Sequence, residues 1–214
     1  MDSKAFEMMS YGLYVISTKQ GDEVAACVVN TLMQATVMPA QVLVTINKQN
    51  YTEQLLEKSG RFEAVVLSQS AMQELIGTFG FSSSKDTDKF EKWEHSISQS
   101  GIPYLTEQTV AHLSCRVVSK MDAGSHVVFL AEVEDAQLTL GEIPMTYAYY
   151  HKVRRGLTPP KASSFRPEPS TGYRCRICGY ILESETIPDD FVCPICGRGK
   201  EFLEKVTPEQ DVGK

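Results

Sequence analysis

Cys175, Cys178, Cys193 and Cys196 stand in the pattern C-x2-C-x14-C-x2-C near the end of the sequence. Each C-x2-C pair can fold as a knuckle that points two thiolates at one centre, and four thiolates in a tetrahedron suit zinc or iron. Spacing alone does not choose, because zinc ribbons use nearly the same frame. The flanking residues say more: Gly179 and Tyr180 follow Cys178, Pro194 lies inside the second knuckle, and Gly197 follows Cys196. Glycines there let backbone amides turn toward the sulfurs, and N–H···S bonds set a reduction potential, which matters at iron more than at structural zinc. Tyr173, Tyr180, Ile187 and Phe191 offer an apolar shell for such a centre. Cys27 and Cys115 sit in the apolar runs "VAACVV" and "HLSCRVV" and read as small buried hydrophobes with no chemistry.

A second constellation, Asn47, Lys48, Asn50, Tyr51 and Thr52, falls at the start of an expected helix. Backbone amides at a helix N-terminus, a lysine and a hydroxyl together suit a terminal phosphate monoester such as that of FMN. Helix capping explains the Asn and Thr equally well. Neither G-x-G-x-x-G nor a P-loop occurs, which argues against Rossmann or ATP-type sites.

The elements that must position these groups fall into two units. Residues 1–156 are β-rich: "GLYVIST", "EVAACVVN", "QVLVTIN", "FEAVVLS" and "HVVFLAEVEDAQL" read as strands between polar turns. The stretch between "EVAACVVN" and "QVLVTIN" reads as polar and partly irregular. "NYTEQLLEKSG" and "SAMQELIGTFG" read as helices, the first with Asn50 or Thr52 as cap and Gly60 as stop. A long hairpin is expected around a turn at Asp122, Ala123 and Gly124. Tyr147, Tyr149, Tyr150 and His151 end this unit and read as strand and interface aromatics. Residues 157–171, "LTPPKASSFRPEPST", read as a semi-extended linker, residues 172–207 as the metal module and 208–214 as a polar tail.

"YRCRICGY" and "IPDDFVCPICG" resemble the two halves of rubredoxin, and the short segment between knuckles is similar to the rubredoxin-like module of rubrerythrins. Phe191 stands where rubredoxins often have tryptophan. The resemblance implies one iron held by the four cysteines, with structural zinc as the alternative. About 35 residues of this kind fold only around their metal. Residues 5 to about 152 resemble the FMN-binding split-barrel flavin reductases of the flavoredoxin-like branch. That likeness rests on "NTLMQAT", "PAQVLVTINKQNYT", "SGRFEAVVLS", "FGFSSSKDTDKF" and "SHVVFLAEVEDA" in the family's order. It implies a mainly β fold with some α, a split β-barrel joined to the small metal-knuckle domain. Asn30, Thr31, Leu32, Gln34, Ala35 and Thr36 would line the isoalloxazine, Asn47, Lys48, Asn50, Tyr51 and Thr52 would surround the phosphate, and Ser82 to Asp88, with Ser82 and Ser84 as contacts, would form a neighbouring loop. His126 lies at the family's hairpin histidine, where it would orient a nicotinamide; a lone strand histidine is also explained structurally. Ala131 departs from a glycine usual in the family.

Together the two likenesses imply an NAD(P)H-dependent FMN oxidoreductase that takes a hydride to bound FMN and passes single electrons to an Fe(Cys)4 centre. The final acceptor would be a flavodiiron O2/NO reductase or similar redox protein. A homodimer is expected. The rivals are a free-flavin reductase with a structural zinc ribbon and a non-enzymatic FMN and iron carrier. Arg154 and Arg155 could attract a dinucleotide phosphate or stand as a solvated pair, and Glu183, Glu185, Asp189 and Asp190 could steer an acceptor. The net charge is −6, with 27 acidic against 21 basic residues and no basic cluster, so a nucleic-acid partner is not expected. Without an apolar run of about 18 residues or a secretory pattern, a cytoplasmic location is expected.

Overall fold

The computed structural model describes residues 3–139, 141–154, 156, 158, 161, 162, 164, 172–176, 180–182, 184–194 and 197–206. Its larger unit is a seven-stranded sheet in the order β2-β1-β5-β8-β9-β4-β3, antiparallel throughout, as the mainly β expectation required. The strands are β1 (Tyr14–Gln20), β2 (Glu23–Val29), β3 (Leu32–Val37), β4 (Ala40–Asn47), β5 (Arg61–Leu67), β8 (Thr109–Asp122) and β9 (His126–Leu138). A short hairpin of β6 (His95–Ile97) and β7 (Pro103–Leu105) lies outside the main sheet.

Runs such as "VAACVV" are continuously apolar because both faces of their strands are buried. Successive side chains point to opposite faces. Ile16, Cys27, Val29, Phe62, Ala64, Cys115 and Phe129 therefore fill the inside of the coiled sheet, closed at one end by Leu56. Their neighbours Val15, Ala26, Val28 and Val65 join an outer core under α2 (Gln73–Phe81), Trp93, Met145 and Tyr150. Burial pushes the Cys27 and Cys115 thiols up, in keeping with inert core residues. Register shifts at Ser114/Cys115 and Val117/Ser119 bend the β8 and β9 ribbon, which helps so long a pair coil with the sheet.

One buried polar group binds the two strands at the sheet's centre. The Glu63 carboxylate accepts from His112 Nε2 at 2.7 Å and from Ser114 Oγ at 2.6 Å, and the His112 ring stacks on Tyr104 with centroids 3.7 Å apart. A carboxylate this deep is tolerated because both bonds converge on its Oε2.

The first helix, α1 (Tyr51–Ser59), begins where the sequence places it. Asn50 caps it, its side chain accepting from the Thr52 amide, and Gly60 ends it at φ 65° with its N–H on the Leu56 carbonyl. Three expectations are corrected. The irregular stretch after Val29 contains β3, whose polar residues are exposed because it is the sheet's edge. The aromatics read as strand residues form α3 (Tyr147–Lys152), started by Thr146, whose Oγ1 accepts from the Tyr149 amide at 3.1 Å. The turn between β8 and β9 is Ala123–Ser125, one residue further on than read.

The smaller unit is a three-stranded sheet in the order β11-β10-β12, built from β10 (Gly172–Cys175), β11 (Ile181–Leu182) and β12 (Leu203–Val206). Of the expected linker, the described residues lie on the barrel. Tyr147 Oη shares hydrogen bonds with Thr158 Oγ1 at 2.6 Å and Ser164 Oγ at 2.9 Å, and Lys161 Nζ donates to the Gln49 carbonyl at 2.9 Å. The 208–214 tail lies outside the described residues.

Candidate functional site

The first turn of α1 holds the residues expected at the flavin's phosphate. Asn50 satisfies the Thr52 backbone amide at 3.2 Å, while the buried Thr52 hydroxyl has only the Cys27 thiol, a weak partner, beside it among the described residues. A buried polar atom left in that state costs free energy unless a ligand meets it. At a helix N-terminus the ligand favoured is an anion. Two cations approach the same neighbourhood. Lys89 is buried, donating from Nζ to the carbonyls of Ala26 at 2.7 Å and Phe79 at 3.0 Å, and desolvation lowers its pKa to about 8. Lys161 lies close enough to influence both Lys89 and the Cys27 thiol, beside which Asn50 and Thr52 also sit. These residues fit a flavin with a terminal phosphate. Neither lysine was picked out from the sequence, since Lys89 looks like ordinary surface charge in "DTDKF" and Lys161 like linker.

The other expected flavin contacts fall into three groups. Asn30 and Asn47 line a small cavity of about 10 Å3 with Val28, Val29, Thr45, Ile46 and Asn50, covered by Lys161 and Ala162. Asn30 is buried; it accepts from Thr31 Oγ1 at 3.0 Å and donates to Ser164 Oγ at 2.7 Å. Gln34, Ala35 and Thr36 stand exposed on the edge strand, with Thr36 Oγ1 donating to the Pro39 carbonyl, while Leu32 turns into the core. Lys48 lines neither cavity found here: its Nζ is paired with Asp122 at 2.7 Å across the hairpin turn. Ser84 Oγ bonds both backbone groups of Ala26, fixing the loop that carries Ser82. The Tyr51 hydroxyl is bound to Glu23 and its ring lies under Lys85 Nζ at 5.0 Å.

His126 is opposite Asn47 in the β4 and β9 register, half-buried, with Nδ1 bonded to Ser125 Oγ at 2.8 Å and Nε2 to the Lys161 carbonyl at 3.2 Å. It is thus oriented from both ring nitrogens. Arg154 spends its guanidinium on the Gln69 and Ala71 carbonyls, at 3.2 and 3.1 Å, which ties α3 to the loop before α2. Arg155 lies outside the described residues. Ala131, at the family's glycine position, is packed in the inner core.

The metal knuckles are described in part. Cys175 and Cys193, each 1% exposed, come together in one apolar pocket with Phe81, Tyr180, Phe191, Phe202 and Leu203; Cys178 and Cys196 lie outside the described residues. Tyr180 and Phe191 were expected there, and their rings lie at 26° with centroids 6.3 Å apart. Tyr173 instead donates to the Glu185 carbonyl. A tight turn follows Cys193, where Gly197, at φ 67°, donates to the Cys193 carbonyl at 2.9 Å. Buried thiols converging from two knuckles suit a thiophilic ion held as thiolates.

A larger cavity of about 420 Å3 joins the two regions. It is lined by Asn50 and Tyr51 of α1, residues 79–83, Lys161, and Arg174, Cys175, Arg176 and Glu204 of the small unit. Phe81 of the barrel packs beside Cys175, so the metal pocket and the α1 terminus share one wall.

Comparisons with known proteins agree with this division. Residues 6–158 match the flavin reductase like domain, and residues 173–204 match the rubrerythrin, rubredoxin-like domain. A high molecular weight rubredoxin of Moorella thermoacetica is 38% identical over 229 residues, covering 96% of this chain and 100% of that protein. A ferric-chelate reductase (NAD(P)H) of Archaeoglobus fulgidus is 35% identical over 77% of this chain and 98% of its own length. Among solved structures, an NADH:FAD oxidoreductase of Streptomyces globisporus superposes with a TM-score of 0.61 at 24% identity, over 67% of this chain and 84% of that one, a likeness of fold.

Proposed function

The chain belongs to the flavin reductase like family and ends in a rubredoxin-like domain of the rubrerythrin kind, an oxidoreductase with a flavin and one cysteine-bound iron, and on that footing we propose an electron relay inside one polypeptide. In it NAD(P)H is the reductant, FMN the bound flavin, and the iron site the exit toward a redox partner such as a flavodiiron O2/NO reductase. When bound, the flavin accepts the hydride pair and gives up electrons one at a time, which a single iron requires.

The chain's own residues hold and orient. The α1 N-terminus with Asn50 and the buried Thr52 hydroxyl receives the phosphate, and Asn30 and Asn47 border the flavin's buried edge. His126, fixed from both nitrogens, positions the nicotinamide, a task of orientation more than of acid–base chemistry. Cys175, Cys178, Cys193 and Cys196 hold the iron. Phe81 and the aromatics around Cys175 and Cys193 keep water from the thiolates.

The observation that carries this reading is the shared cavity: Asn50 of the flavin site and Cys175 of the metal site line the same space. The electron donor and acceptor are thereby neighbours, and the segment 157–171 serves as the connection that holds them at high effective concentration. The exposed edge strand β3, with Met33 at 59% and Val37 at 76% exposure and Met38 at 92% just beyond it, supports a homodimer that covers it. No described helix is long and apolar enough to cross a membrane, and we place the protein in the cytoplasm.

Anaerobic stopped-flow mixing with NADH, following the flavin and the ferric-thiolate absorption together, tests the relay. Flavin bleaching followed by iron bleaching at a rate independent of protein concentration is expected. A reduced flavin that leaves the ferric bands unchanged, or a preparation holding zinc and no iron, would refute it.

A further inference from the structure

The apolar pocket around the metal ligands is not closed by its own unit. Cys175 and Cys193 are each 1% exposed, and Tyr180, Phe191, Phe202 and Leu203 of the small unit pack on them together with Phe81, which belongs to the barrel. Phe81 is the last residue of α2 and is held from both sides. Before it, the carbonyl of the fully buried Phe79 accepts from Lys89 Nζ at 3.0 Å, and the same nitrogen donates to the Ala26 carbonyl at 2.7 Å. After it, Ser84 Oγ accepts from the Ala26 amide at 3.1 Å and donates to the Ala26 carbonyl at 3.3 Å. Both anchors fall on one residue of β2, the strand whose Val28 and Val29 line the small cavity with Asn30. One strand thus supports the flavin's buried edge and the ring laid on the metal ligands. Among the described residues Phe81 is the only barrel side chain in that pocket, and a contact this small between two units is reversible.

We propose that Phe81 makes docking of the metal unit depend on the oxidation state of the iron: the barrel holds the ferric centre and loosens its hold when the iron is reduced. This rests on the iron reading above and adds a gate to it. Four thiolates leave a ferric centre singly negative and a ferrous centre doubly negative. The added electron comes from the reduced flavin; no bond forms or breaks at the sulfurs and no proton moves there. An apolar ring against the sulfurs takes the place of water that would solvate this charge, so it disfavours the ferrous form more than the ferric. The docked iron therefore has the lower reduction potential, and by linkage the ferrous unit docks more weakly by the factor that separates the two potentials. Lys161 on the wall of the large cavity acts in the opposite sense, but across a space wide enough for screening water, whereas the ring lies on the ligands themselves. A ferric unit seats on Phe81, takes one electron from the flavin, and is released toward its redox partner.

The test is a potentiometric titration of the full iron-loaded chain with soluble mediators, following the ferric-thiolate absorption. Phe81→Ala should raise the midpoint of the iron; a roughly tenfold coupling, within the ordinary range for linked sites, corresponds to about 59 mV. Phe81→Leu keeps an apolar cover and should stay close to wild type. The ferric absorption itself reports whether the variant's metal unit is folded. A second measurement needs no variant: wild type is loaded with gallium(III) or zinc(II), which copy the charges of ferric and ferrous iron and leave the flavin oxidised. The amides of residues 79–84 should exchange hydrogen faster in the zinc form than in the gallium form. A midpoint that is unchanged or lowered in Phe81→Ala, a Phe81→Leu midpoint raised as far as that of Phe81→Ala, or exchange no faster with zinc than with gallium overturns the proposal. Failure of NADH-reduced flavin to bleach the iron would refute the relay itself, and neither measurement depends on that step.

Discussion

Thr52→Val separates what the α1 N-terminus does for the fold from what it does for the ligand. Valine keeps the β-branched shape and removes only the hydroxyl, whose oxygen is buried with no partner better than the Cys27 thiol among the described residues. A buried unsatisfied hydroxyl costs about 1–3 kcal/mol. The flavin-free variant should therefore be more stable than wild type, by about 1 kcal/mol if part of that cost is relieved by local adjustment. For a chain of this size that is a rise in Tm of about 2–4 °C. FMN binding should move the other way. A hydrogen bond to a charged group contributes about 1.5–3 kcal/mol, so the dissociation constant should rise about ten- to a hundredfold. The helix start should be unaffected, because the Thr52 amide is bonded to Asn50 Oδ1 and not to its own side chain. Scanning calorimetry of flavin-free protein and fluorescence titration with FMN read the two effects, with Thr52→Ser as the control that restores binding. A variant that is less stable without flavin and binds FMN as tightly as wild type would show that the hydroxyl serves packing alone.

Lys89 predicts a pH effect. Its amine is buried and its pKa falls from 10.5 to about 8 on folding, so the unfolded chain binds more protons between those values and stability rises with pH across that window. The size is about 3 kcal/mol, read as the stability of wild type relative to Lys89→Met growing across that window in denaturant titrations, because the raised Cys27 and Cys115 thiols oppose it in both proteins alike. Phe62→Ala opens the inner core at a fully buried ring and should cost about 3–5 kcal/mol in the same assay; a loss under 1 kcal/mol would mean the barrel collapses around the gap. Cys193→Ser should abolish iron binding and transfer to an external acceptor while NADH still bleaches the flavin, and retention of iron absorbance would contradict its assignment as a ligand.

Much of this protein is written locally. The glycine after the second knuckle, the Asn50 and Gly60 ends of α1 and the doubly buried strand runs are properties of a few adjacent residues, and each recurs in the structure. The sequence also carried the family likeness of both units. It hid β3, because an edge strand exposes residues whose polarity looks like loop, and it hid α3, because aromatic residues at both helical and strand spacing do not declare a period. What only tertiary structure decided is which charges gather near the start of α1. Lys48 was drawn away by Asp122, 74 positions later, while Lys161 came to the cavity beside Asn50 from a distant segment and Lys89 to the neighbourhood of the Cys27 thiol. A cap or a knuckle is set by short-range hydrogen bonds and backbone angles. The charge lining a cavity depends on how separate elements pack, and nothing in the spacing of a lysine along the chain encodes it.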